Sequence, residues 1–253
     1  MKEKIQKYRF AFEELVSRDF KTKYKRSVLG MGWSMLQPLL LLIIMRLVFT
    51  QFFGRTMEHY TTYLFCGNLI FSYFNESTTQ GMQALMANAH IFTKVNVPKY
   101  LFLLSKNVQT LINFGLTLII FFIMCIFDGI TFTWKFIFLI IPIVFLLLFN
   151  LGMGLILSAL YVFFRDMQYL WRIMLQLLMY MSAIFYNVDS FANPKIFYLN
   201  PVYTFILYFR RIVIHAEIPG VIHTGIMIFY SLAALGIGCL MYKKFNHKFL
   251  YYV

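Results

Sequence analysis

Acid and thiol are scarce in this chain: ten carboxylates and three cysteines are spread over 253 residues. Cys66, Cys125 and Cys239 fall in separate apolar runs with no close spacing. That pattern excludes a disulfide framework and a cysteine-based metal site, and the thiols read as buried and inert. Four of the ten carboxylates lie within the first 20 residues. The five histidines (59, 90, 215, 223, 247) are scattered, so no tight His/Asp/Glu cluster of the kind an integral-membrane transferase needs is expected. No GxxxxGK[ST] phosphate loop, HExxH or GxSxG occurs, so the chain is expected to hold no catalytic site and not to hydrolyse ATP itself. Internal repeats, low-complexity tracts and a soluble domain are also lacking. No cleavable signal peptide is apparent, because the first 34 residues are charged throughout; the first apolar span is expected to be its own targeting signal.

What the chain has instead is apolar length. Sixty per cent of its residues are hydrophobic and the mean hydropathy is +0.70, against about 45–50% apolar in soluble domains. Several runs reach the roughly 20 residues that cross a bilayer as a helix. A membrane barrel would show short alternating segments. The fold class expected is therefore all-α integral membrane, a single transmembrane domain over 1–253.

Taken in order, residues 4–26 read as an amphipathic interfacial helix, with Ile5, Tyr8, Phe12 and Leu15 at helical steps and lysines on the other face. Gly30 and Gly32 let the backbone turn, and Trp33 suits the headgroup level. Spans are expected at about 35–53, 60–86, 108–127, 136–164, 169–186 and 221–242. Residues 87–106 read as a basic loop broken by Pro98. In the fourth span Pro142, Gly152 and Gly154 read as bend or close-packing points. Residues 187–220, with Pro194, Pro201 and Pro219, hold apolar pieces too short to cross and read as a re-entrant segment. Six spans put both ends on one side. Nine Lys+Arg in the N-terminal segment, three in 87–106, two in 165–172 and three in the tail stand against five in the alternate loops. By the positive-inside rule both termini are then cytoplasmic, and the net charge of +13 needs no nucleic-acid partner.

Two features inside the spans stand out. The second half of the second span is polar (Asn75, Glu76, Ser77, Thr78, Thr79, Gln80), which lipid tolerates poorly, so it should face a protein interface or a wet cavity. Arg46 is the other intramembrane charge; at 1.5 Å per residue it lies roughly 13 Å from Glu76 in depth, which argues against a direct bridge. Tyrosines gather near the outer end of the fifth span and beyond (Tyr180, Tyr186, Tyr198, Tyr203, Tyr208). Their apolar faces and polar tips suit a passage for sugars, although packing remains the ordinary use of such rings.

Four stretches resemble one family in register over some 240 residues: YKRSVLGMGWSMLQPLL at 24–40, IFTKVNVPKYLFLLSKNV at 91–108, ALYVFFRDMQYLW at 159–171, and MSAIFYNVDSF followed by LNPVYTFILYFRR at 199–211. They are similar to the membrane permease of bacterial polysaccharide ABC exporters, of the O-antigen and teichoic-acid class. The resemblance implies a homodimer in the bacterial plasma membrane, working with two copies of a separate ATPase subunit that holds the ATP and Mg. No cofactor or metal is implied for this chain. The cargo implied is a polysaccharide linked to undecaprenyl diphosphate. Phe92, Lys94, Val95, Pro98 and Lys99 match the ATPase-coupling loop. Lys21, Lys23, Lys25, Arg26 and Trp33 fall where a lipid diphosphate would arrive, and equally where lysines meet lipid. Glu76, Tyr186, Tyr198, Asn200, Pro201 and Arg210 fall at the channel and its outer gate. Rival readings are a permease for capsular polysaccharide, for a drug or a small lipid, and a stand-alone secondary carrier, against which the lack of paired broken spans argues.

Overall fold

The computed structural model describes residues 2–24, 29–30, 32–53, 58–94, 97–188, 193–250 and 252. Nine α-helices occur among them: α1 Lys2–Tyr24, α2 Gly32–Phe53, α3 Tyr60–Ala87, α4 Ala89–Phe92, α5 Tyr100–Phe127, α6 Ile140–Phe163, α7 Met167–Met181, α8 Pro201–Val213 and α9 Val221–Phe245. Short 3-10 turns at Trp134–Leu139 and Pro194–Leu199 lead into α6 and α8. No strand occurs among the described residues.

The centre of the bundle is α3, which packs on α2, α5, α6, α7 and α8. Its Leu64, Phe65, Ile70 and Phe74 are buried, with Phe74 stacked on Phe149 of α6 and edge-on to Trp171 of α7. The most extensive helix pair is α6 with α9, and small residues make it possible. A Cβ on Gly152 would lie 2.4 Å from the Leu235 amide nitrogen, and one on Gly238 would lie 2.8 Å from the Gly152 carbonyl. On the other flank of α6, a Cβ on Gly81 of α3 would lie 3.1 Å from the Gly154 Cα. Backbones brought this close gain dispersion contacts where lipid offers no hydrophobic drive. The expected close packing of the fourth span at Gly152 and Gly154 is thus realised on two different neighbours.

Both termini meet at one end. Leu15 of α1, Leu85 of α3, Phe102 of α5, Val162 of α6, Tyr242 of α9 and Phe249 of the tail share one buried cluster. A buried polar clip fastens α1 there. Asp19 is 5% exposed and accepts from Arg18 (2.8 Å), Ser105 (3.2 Å) and Lys106 (3.1 Å). The Gln109 amide donates to the Asp19 carbonyl at 3.1 Å, and Arg18 also donates to the Asn88 side chain at 2.6 Å. Tertiary pairing therefore turns Arg18 away from the solvated face of the amphipathic helix.

Several boundaries differ from the sequence reading. Helix α5 starts at Tyr100, inside the stretch read as a loop, because Leu101, Phe102 and Leu103 are buried and Lys106 finds Asp19. The fifth span was expected to reach residue 186, but α7 ends at Met181, and Ala183 takes a left-handed φ of +50°. Fifteen residues extend about 22 Å, short of the roughly 30 Å hydrocarbon core. Among the described residues, four helices are long and apolar enough to cross a membrane: those carrying Gly32–Phe49, Tyr100–Phe127, Trp134–Phe163 and Val221–Phe245. Six were expected. The 28-residue α3 has the length but falls short in apolarity, because its polar face lowers the average. Gly30, at φ +50°, makes the corner before α2, with the Gly32 amide bonded to the Leu29 carbonyl at 2.8 Å.

Candidate functional site

The polar residues of α3 recur at helical steps, so Asn68, Ser72, Asn75, Glu76, Thr79 and Gln80 share one face. That face forms a wall of a cavity of about 660 Å³, closed by Trp33, Ser34, Gln37 and Pro38 of α2 and by Asn113 and Thr117 of α5. A second cavity of about 280 Å³ lies between α3 and α7 and is lined by Gln83, Gln168, Arg172 and Gln176. Asn75 and Thr79 border both. The two cavities therefore flank one polar ridge, and Ser72 and Asn75 on it are exposed.

Glu76 is the only carboxylate on this surface among the described residues. Its Oε1 accepts from Asn113 Nδ2 and from Gln80 Nε2, each at 3.0 Å, and the Ser34 hydroxyl donates to Asn113 Oδ1 at 3.3 Å. A hydrogen-bonded chain thus runs from α2 through α5 to α3. Arg46 lies on the exposed face of α2. Amides and hydroxyls both donate and accept. This surface can therefore exchange hydrogen bonds with a hydroxylated solute without holding it by net charge. Asn113 and Thr117 were missed in the sequence. The signal was present, because Asn107, Thr110, Asn113 and Thr117 repeat at three- to four-residue steps inside an apolar run.

At the end opposite the termini, the residues read as a gate hold the chain path together. Arg210 is 4% exposed. Its guanidinium donates to the Tyr63 carbonyl (3.1 Å), the Ala183 carbonyl (2.9 Å) and the Ile184 carbonyl (3.1 Å). Tyr60 Oη donates to the Phe185 carbonyl at 2.8 Å and Tyr63 Oη to the Tyr186 carbonyl at 2.6 Å. Four consecutive carbonyls, 183 to 186, are thereby satisfied where α7 has stopped supplying partners. Gly67 allows this, since a Cβ there would lie 2.9 Å from Arg210 Nη2. Asn200 caps α8, accepting from the Val202 amide at 3.0 Å and donating to Ser182 at 2.9 Å, with Pro201 in the first turn. Tyr186 donates to the Tyr180 carbonyl at 2.7 Å, and Tyr198 meets His223 at 2.7 Å.

The coupling-loop residues separate. Lys94 is exposed and Pro98 half-buried. Lys99 is buried, its ammonium on the Asn246 carbonyl and over the Phe249 ring, and burial pushes its pKa down. It holds the tail rather than facing outward. Phe92 ends α4, but its side chain lies outside the described residues, as does all of Val95. Lys21 is exposed on α1; the Lys23 side chain, Lys25 and Arg26 lie outside the described residues. Trp33 is exposed at the mouth of the larger cavity. No group of three His, Cys, Asp or Glu converges among the described residues.

Known proteins resemble this sequence over most of its length. The chain is 27% identical over 219 residues to a Myxococcus xanthus protein named O-antigen export system permease protein RfbA, covering 85% of this chain and 84% of the relative. It is 25% identical over 243 residues to a Klebsiella pneumoniae protein of the same name, covering 93% and 92%. The ABC-2 type transporter family matches residues 11–214. With an all-helical, multi-pass bundle built around a polar central helix, the chain belongs to the ABC-2 type transporter family, as the membrane permease of a transporter.

Proposed function

We propose that this chain is the permease of an ABC exporter that carries an undecaprenyl-diphosphate-linked polysaccharide, of O-antigen type, across the bacterial plasma membrane. It would act as a homodimer with two copies of a separate ATPase subunit, which supplies ATP and Mg, and with both termini in the cytoplasm. The observation that carries the reading is the α3 ridge. Apart from Glu76, neutral hydrogen-bonding groups line it from Asn68 to Gln83, and it is open to cavities on both sides. Such a face is costly against lipid and matches the alternating hydroxyls of a sugar chain. Relatives named for O-antigen export support the substrate class.

The exposed Lys94 beside α4 would meet the ATPase, and Lys21 on the rim of α1 would meet the arriving headgroup. The test is deletion and complementation. Cells lacking the chain should lose surface polysaccharide and accumulate lipid-linked polymer inside. Complementation should require an active ATPase partner. Restored export without any ATPase would contradict the proposal.

A further inference from the structure

A third cavity, of about 640 Å³, lies at the end opposite the termini and is distinct from the ridge. Glu58 and His59 before α3 form one wall, Arg211, His215 and Glu217 another, and Arg210 lies at its base. The volume falls in the range of about 300–1,000 Å³ typical of small-molecule sites.

Three features give it a ligand chemistry. First, Glu58, Arg211 and Glu217 surround one space, yet none has a side-chain hydrogen bond or an ion pair within 4 Å among the described residues. Charged groups held near each other without pairing remain available to a third party. Second, among the described residues two arginines and two glutamates line it and balance at neutral pH, so this lining does not select for net charge. Third, its walls are fixed. The His59 ring bonds the Asp128 carbonyl at 2.9 Å. Lys135 donates to the Ala216 carbonyl at 2.6 Å, and the Glu217 amide donates to the Arg211 carbonyl at 2.9 Å. Arg210 is itself committed to backbone carbonyls and supplies a rigid floor.

Carboxylates accept in pairs and guanidinium donates in pairs, whereas a vicinal diol both donates and accepts. A neutral, preorganised set of both kinds therefore fits a short stretch of hexose chain. We infer that this cavity binds neutral hexose oligosaccharide, with Arg211 donating and Glu58 and Glu217 accepting. The choice of ligand rests on the polysaccharide reading above. The cavity would retain the emerging segment and disfavour its return.

The probe is mannotriose, titrated into the full chain in lipid nanodiscs and followed by saturation-transfer NMR, with inorganic pyrophosphate as the anionic comparison. Wild type should bind mannotriose saturably and pyrophosphate not at all. Arg211→Gln and Glu217→Gln, both at solvent-accessible positions, should each weaken binding about tenfold, the loss of one charge-assisted hydrogen bond. Leu207→Trp, which fills the cavity from α8, should abolish it; thermal unfolding of all variants verifies the fold. Absent wild-type binding, equal affinity in the glutamine variants, or saturable pyrophosphate binding would each overturn the site. The binding assay is independent of export. If deleting the chain leaves surface polymer unchanged, the exporter reading fails and the cavity is still judged by the titration.

Discussion

The Arg210 guanidinium carbon lies 3.4 Å from the centre of the Tyr63 ring, and the same side chain donates to the Tyr63 carbonyl from Nε at 3.3 Å and Nη2 at 3.1 Å. One residue of α8 thus grips both the face and the backbone of one residue of α3, while its remaining donors hold the turn after α7. Three segments distant in sequence converge on a single planar fork. Lysine has one point of charge and cannot reproduce that reach.

Arg210→Lys should therefore lose at least two of the carbonyl contacts. Arg210→Met should leave the Ala183 and Ile184 acceptors buried without donors, at about 1–3 kcal/mol each. The expected result is a lower unfolding midpoint in detergent and reduced yield of folded protein, Met worse than Lys. A midpoint unchanged in Arg210→Met would remove the staple from the account.

The α6–α9 crossing gives a second prediction. Gly152→Ala puts a methyl 2.4 Å from the Leu235 amide, a contact that only backbone displacement relieves. Overpacking of this kind costs about 1–3 kcal/mol or more. The variant should lose thermal stability, whereas Gly225→Ala, with open space around its Cβ, should not. Equal stability of the two would show that the helices are not in this contact.

Asp19→Asn tests the clip on α1. The amide keeps the shape but gives up the charge that faces Lys106 and Arg18. Hydrogen exchange should speed up in residues 8–20 while α6 stays protected. Unaltered exchange in α1 would show that apolar packing through Leu15 holds the helix alone.

Lys94 and Lys99 should behave differently although both are basic residues of the same stretch. Lys94→Glu should lower the stimulation of ATP hydrolysis in the reconstituted complex with little change in permease stability. Lys99→Glu should destabilise the tail around Asn246 and Phe249. If Lys94→Glu left ATPase stimulation and export intact, the docking role of that loop would be lost.

Long apolar runs and their breakers made most of the fold legible. The α3 boundaries, Tyr60–Ala87, follow from hydrophobic length between turn residues. What stayed hidden depended on tertiary pairing. Asp19 reads as part of an amphipathic face until Ser105 and Lys106 arrive from 86 or more residues away. Arg210 reads as a gate cation until Tyr63, 147 residues earlier, supplies its acceptor. The end of α7 at Met181 was equally invisible, because its cause is the donors from α3 and α8 that satisfy carbonyls 183–186. In the candidate site, the polar half of α3 could be read directly. The α5 wall at Asn113 was obscured by the apolar average around it.

The central claim is that the α3 ridge is wet. In a background with the exposed Cys239 replaced, single cysteines at Ser72, Asn75 and Thr79 should react with a membrane-impermeant thiol reagent in the assembled exporter. Reaction at Asn75→Cys should also block export, while Phe229→Cys on the outer face of α9 should remain unlabelled. No reaction at Asn75→Cys and Thr79→Cys, in protein that still exports polysaccharide, would contradict the account.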